Sequence, residues 1–199
     1  MFTKIRGIVA GITMESKYVL SEEEYNTYTL HQADFLPLKF MNQFERLVKT
    51  HQDKLTQSNL VLFAGLVLSA MLKEWETRIL ASKINMYGAL RLDGEVRGCV
   101  ARFSSLFTTH TLSTSGPAGG GGIGGSASIL SLGVIRDLFA RLSQVCIVVG
   151  LERPGEIGEM WGKSAGSIRW RLIAADVRKI LSCRFELEFS SSVINSLSL

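Results

Sequence analysis

The sequence is poor in almost everything that would announce a chemistry. Its three cysteines, Cys99, Cys146 and Cys183, are odd in number and far apart. No two have metal-ligand spacing and each has apolar neighbours, so they read as buried thiols of a reducing compartment, not as a disulfide framework. The three histidines, His31, His51 and His110, are isolated, which leaves no cluster to hold a metal. Charge of one sign is scarce as well. The 22 basic and 18 acidic residues give a formal charge of +4, spread without any run of five or six basic residues, so nucleic acid is not an expected partner. A long apolar run is missing too. The greasiest stretch, "LVLFAGLVLSAML" at residues 60–72, would span about 20 Å as a helix, short of a bilayer core of about 30 Å. The first twenty residues lack the apolar core and small-residue cleavage site of a secretory signal. Membrane insertion is therefore not expected.

What the chain does have is enough material for a core. Hydrophobic residues make up 46% and charged ones 20% of 199 residues, which excludes a mostly disordered polypeptide. "LSEEEYNTYTL" reads as an acidic surface linker closing a first segment, 1–34. In "DFLPLKFMNQFERLVKTHQDKL", Phe40, Phe44, Leu47, Val48 and His51 recur at helical steps, with Pro37 tolerated in the first turn. Ser58 then caps a helix to about Ser82, with Leu60, Phe63, Val67, Met71, Trp75 and Ile79 in one stripe and its first half enclosed on most sides. Asp93 opens a third helix through Val96, Cys99, Val100, Phe103 and Phe107, weakened by Gly94 and Gly98. Residues 35–107 thus form a helical bundle.

Residues 108–130, around "STSGPAGGGGIGGSAS", hold almost nothing able to pack and read as a flexible Gly/Ser-rich insertion. A C-terminal helical subdomain, 131–199, follows. It comprises a helix from Ser131 to Val149 ended by Gly150, a short turn from Pro154, a helix over about 174–185 and a serine-capped final turn. No stretch alternates convincingly as a strand, "CRFELEF" coming closest. The expected class is all-α, a stacked antiparallel helical bundle with a small C-terminal subdomain.

Two nucleotide signatures are imitated. Gly119, Gly121 and Gly124 match G-x-G-x-x-G by composition alone, with no strand before them and no acidic ribose partner after. In "GEMWGKSAG", Gly162-Lys163-Ser164 resembles the end of a phosphate loop, but the earlier glycine is Gly158 where position 157 is required, and Ile157 stands there. No catalytic group, cofactor or metal is expected. Trp161 and Trp170 are better candidates to hold this stretch, as anchors of an ordered loop that Gly162 and Gly166 allow to turn sharply.

"IRDLFARLSQ", "GLERPGEIGEMWG" and "IRWRLIAADVRKIL" together resemble the C-terminus of the fourth subunit of the conserved oligomeric Golgi complex. "SEEEYNTY" and the two helices after it extend the likeness over most of the chain. The glycine-rich insertion departs from the family pattern, and the last helix begins Ile-Ala-Ala-Asp where the family tends to have a capping threonine and proline. Family members are several times longer, so the chain corresponds to their C-terminal portion. The resemblance implies a rod-like tethering-complex fold and a non-catalytic scaffold acting in intra-Golgi retrograde transport and Golgi organisation. It would sit peripherally on the cytosolic face of the Golgi membrane, with other tether subunits as partners and the SNARE-fusion machinery beyond them. It also implies a salt bridge between Arg141 and Asp176, joining two helices. A helical adaptor of another complex, or a small α-helical enzyme, are the rival readings.

Overall fold

The computed structural model describes residues 2–14, 16–31, 35–112, 130–162, 166 and 168–199, with backbone alone at residue 2 and at 105–112. Nine α-helices lie among these residues. They are α1 (Phe2–Thr13), α2 (Glu22–His31), α3 (Phe35–Gln52), α4 (Gln57–Ile79), α5 (Met86–Leu112), α6 (Leu132–Val149), α7 (Ile157–Met160), α8 (Ala174–Leu181) and α9 (Ser191–Ser196). Short 3-10 turns occupy Pro154–Glu156 and Leu187–Phe189. No β-strand is present among the described residues; one isolated parallel bridge joins Ile84 and Arg184. The chain is all-α.

Four helices close a ring: α3 packs on α4, α4 on α6, α6 on α5 and α5 on α3. Each sends a large aromatic or indole ring inward. Phe40 of α3 lies 5.4 Å from Trp75 of α4 and 6.3 Å from Phe103 of α5, and Phe103 lies 5.8 Å from Phe139 of α6. All four are fully buried, so each adds the burial of a large side chain, and each ring pair about 0.5–1.5 kcal/mol beyond it. Outside the ring, α1 lies on α3 and α4, α2 on α5, and α8 on α6.

The elements begin and end for local reasons, some of them not anticipated. α4 is capped by Thr56, whose hydroxyl accepts from Asn59 N, rather than by Ser58. Its first half is not enclosed on most sides, since Leu62 and Leu66 are about two-thirds exposed. The acidic linker is helix α2. Its cap is reciprocal: Glu24 N donates to Ser21 Oγ and Ser21 N to Glu24 Oε2. α5 starts at Met86, two turns ahead of Asp93, because Asn85 Oδ1 accepts from Gly88 N at 2.9 Å. It also continues to Leu112, so the stretch expected as an insertion starts helical; residues 113–129 lie outside the described residues. Gly150 ends α6 with ordinary right-handed backbone (φ −83°), not a left-handed cap. α8 stops at Leu181, short of the expected end near 185, and Arg184 beyond it turns inward.

Candidate functional site

The joint between the four-helix ring and the C-terminal helices gathers the predicted site residues. Ser131 caps α6 through its hydroxyl, which accepts from Val134 N at 3.3 Å. That start fixes the helical phase, which points Arg141 out of the apolar stripe toward α4 and α8. Four of the five N–H groups of Arg141 are engaged. Its Nε donates to Glu76 Oε1 and Oε2 at 3.0 and 3.1 Å and its Nη2 to Oε1 at 2.9 Å. Its Nη1 donates to Asp176 Oδ2 at 3.1 Å and to the Arg171 carbonyl at 2.9 Å. One guanidinium therefore ties α4, α6, the loop before α8, and α8. The structure brings Arg141 and Asp176 together, and adds Glu76, which the sequence places on the outward half of α4 without a partner.

The electrostatics follow from this geometry. Arg141 is held above its ordinary value first by its bonds to Glu76 and then, against burial, by Asp176. Burial works against ionisation of Asp176, but Arg141 and the Ile173 N–H outweigh it and lower its carboxyl. That N–H reaches Asp176 Oδ2 at 3.1 Å, so Asp176 caps its own helix at the third position. This replaces the side-chain N-cap that Ile173 cannot provide.

Side-chain exposures of 36% for Arg141, 13% for Glu76 and 27% for Asp176 put the triad between surface and core. Exposed pairs are worth about 0–1 kcal/mol and broken buried pairs cost about 3–5. Discounted for solvent screening, Arg141→Ala is expected to cost about 2 kcal/mol, lowering the melting temperature by about 4–8 °C for a chain of this size. An unchanged melting temperature would remove the joint from the account.

Asp176 gives the same site a pH signature. Its folded value is lowered, so its contribution is complete above the unfolded aspartate value of about 4 and fades as pH falls toward the lowered folded value. Asp176→Asn should therefore be less stable than the parent at pH 6 and converge with it as pH falls below about 4. Urea titrations at several pH values measure this; a gap that stays constant down to pH 3 would contradict it.

Gln144 holds the neighbouring extended segment as a strand would. Its amide donates to the Arg169 carbonyl at 2.8 Å and accepts from Arg171 N at 2.7 Å. Arg171 in turn pairs with Asp137. Trp161 and Trp170 meet at 5.0 Å between ring centroids, and the Trp170 indole N–H donates to the Met160 carbonyl at 2.8 Å. Both are half-buried against the core. Gly162 and Gly166 have φ of 61° and 56°, the left-handed region that favours glycine. Lys163 and Ser164 lie outside the described residues.

A second joint, absent from the sequence reading, is more deeply buried. Arg184 is 4% exposed. Its Nη1 donates to the Val149 and Leu151 carbonyls at 2.6 and 2.9 Å, and its Nε and Nη2 grip Glu186 at 2.8 and 2.9 Å. Glu186 Oε1 also accepts from Met86 N, the first residue of α5. The pair thus sets a cation at the carbonyl end of α6 and a carboxylate at the amide end of α5, each matched to its helix dipole.

Among the described residues no group of three or more His, Cys, Asp or Glu could hold a metal ion, and no helix is long and apolar enough to cross a membrane. The three thiols are buried, and burial pushes each above its ordinary value. His51 bonds the Leu47 carbonyl and stacks 4.7 Å from Phe63, a spacer at the end of α3. The α4–α6 groove beside Arg141, about 450 Å³, is floored by Leu72, Leu138 and Leu142.

Residues 1–179 match the family described as "Conserved oligomeric Golgi complex subunit 4, C-terminal". The chain belongs to that family. Similar curated proteins carry the name conserved oligomeric Golgi complex subunit 4. The human protein is 31% identical over 180 residues, covering 90% of this chain and 19% of its own length. That of Arabidopsis thaliana is 28% identical over 185 residues, 93% of this chain and 21% of the relative. That of Dictyostelium discoideum is 24% identical over 192 residues, 92% and 18%. The chain therefore spans about a fifth of the length of these relatives. In the match, the Arg141 and Arg184 joints fall inside a C-terminal region of this family or just beyond the matched residues, Arg184 lying five positions past residue 179.

Proposed function

We propose that this chain is the non-catalytic C-terminal part of a Golgi vesicle-tethering subunit, acting in intra-Golgi retrograde transport and Golgi organisation. It works as a rigid helical end-piece whose partners are other subunits of the complex and, through them, the SNARE-fusion machinery. It sits peripherally on the cytosolic face of the Golgi membrane. The observation that carries this reading is the family match over residues 1–179. The chemistry of the polar groups supports it: Arg141, Gln144, Arg184 and Glu186 are all engaged in bonds that join one element to another. Groups bonded in this way fasten one element to another, as a scaffold requires.

The test is a replacement. A human subunit whose C-terminal region is exchanged for residues 1–199 of this chain is expressed in cells lacking the subunit. The expected result is co-precipitation of the other subunits and a compact Golgi. A chimera that is stably produced and joins the complex but leaves the Golgi dispersed would contradict the reading. So would measurable ATP or GTP affinity of the isolated chain by calorimetry, which would favour the enzyme alternative.

A further inference from the structure

α2 differs from the other long helices in how it is held. Among its ten residues one side chain, Tyr28, is buried, and Leu30 is 77% exposed. Its cap is internal, through Ser21 and Glu24, and its first turn carries Glu22, Glu23 and Glu24. The helix therefore supports itself locally and offers little apolar surface to dock. Its attachment to α5 is chiefly polar and aromatic. The Tyr28 hydroxyl donates to Glu95 Oε1 at 3.4 Å, the Tyr28 ring lies 4.2 Å from the Arg91 guanidinium, and the Tyr25 and Tyr87 rings are 5.8 Å apart.

Glu95 is fully buried, yet it does not depend on α2. Arg91 Nε donates to its Oε1 at 2.8 Å and the Tyr18 hydroxyl to its Oε2 at 2.9 Å. Tyr18 is in turn bonded by the Trp75 indole at 3.4 Å. Removing α2 would leave both Glu95 oxygens bonded and Arg91 paired, so undocking strands no unpaired buried charge, the usual reason such openings are costly. We infer that α2 is a strap that opens as a unit while the four-helix ring stays folded. Opening uncovers Tyr87 and Arg91, one turn apart on α5, an aromatic and cationic pair that the acidic, tyrosine-bearing α2 shields in cis. This inference rests on the α2–α5 contacts alone and stands apart from the Golgi reading.

Hydrogen exchange followed by mass spectrometry on the whole chain tests it. Amides of residues 22–31 should exchange at least about 100-fold faster than those of 64–79 and 135–149, through an opening that low urea does not accelerate. Tyr28→Ala should speed exchange in 22–31 by at least about tenfold while core exchange stays unchanged. Tyr28→Phe, which keeps the ring over Arg91, should have a smaller effect. Exchange of α2 at the core rate would overturn the inference. So would a Tyr28→Ala variant in which α2 and the core accelerate together.

Discussion

Arg184→Ala should lose about 3 kcal/mol of unfolding free energy, more than Arg141→Ala, because it strips a buried cation from two carbonyls and from a carboxylate that is 26% exposed. The loss has several parts. The Val149 and Leu151 carbonyls would each lose the Arg184 donor, and Glu186 would lose the two donors that outweigh burial and keep its carboxyl low. The ring of Phe189 would lose the cation 4.3 Å above it. Glu186 also serves Met86 N, so its disturbance reaches the first turn of α5. Arg184→Lys keeps the charge but cannot form the fork that serves two carbonyls and a carboxylate at once, and should fall between the parent and alanine. Urea unfolding of the three proteins decides it. A midpoint for Arg184→Ala within error of the parent would mean that Arg184 is not a fastening point.

The second large effect belongs to a residue with no side chain. A Cβ placed on Gly88 would lie 1.7 Å from the Tyr18 carbonyl oxygen and 2.4 Å from its carbon. Both are backbone atoms, so no rotamer change relieves the clash. Nor can the Tyr18 segment step aside freely. Asn85 N donates to the Tyr18 carbonyl at 3.0 Å, and the Asn85 side chain accepts from Leu20 N at 3.2 Å and donates to the Leu20 carbonyl at 2.6 Å. Gly88→Ala should cost about 3 kcal/mol or more, the upper end of overpacking penalties. Gly94, six residues along the same helix, has nothing within 4 Å of a built Cβ. There alanine should stabilise by somewhat under about 1 kcal/mol, from helix propensity alone. Opposite signs at two glycines of one helix form the sharp test; equal effects would show that close approach at Gly88 is not what requires glycine.

The parts of this fold that could be read from sequence are those whose signal is local and repeated. The stripes of α3, α4 and α6 recur at three- and four-residue steps, and they supply Phe40, Trp75 and Phe139 of the buried ring. α2 escaped because its apolar periodicity is nearly absent; the Ser21–Glu24 spacing was the one cue. The start of α5 differs from the expected one because Asp93 reads as a cap while the working cap is Asn85, and Gly88 is glycine because of Tyr18, seventy residues earlier in the chain. Arg141 and Asp176 were paired by family likeness, not by spacing, and Glu76 could not be found because the 65 residues separating it from Arg141 carry no pattern. Arg184 sits where α8 would continue on periodicity; only the bridge to Ile84 and the carbonyls of α6 turn it inward.

The C-terminal helices and the four-helix ring should unfold as one unit because two arginines, Arg141 and Arg184, fasten them. Urea unfolding monitored by both far-ultraviolet circular dichroism and tryptophan fluorescence, on the parent and on the Arg141→Ala/Arg184→Ala double variant, tests this most directly. Coincident transitions are expected for the parent, and for the double variant two fluorescence transitions, an earlier one from Trp161 and Trp170 and a later one from the buried Trp75. Two transitions already present in the parent, or a double variant that unfolds once at the parental midpoint, would contradict it.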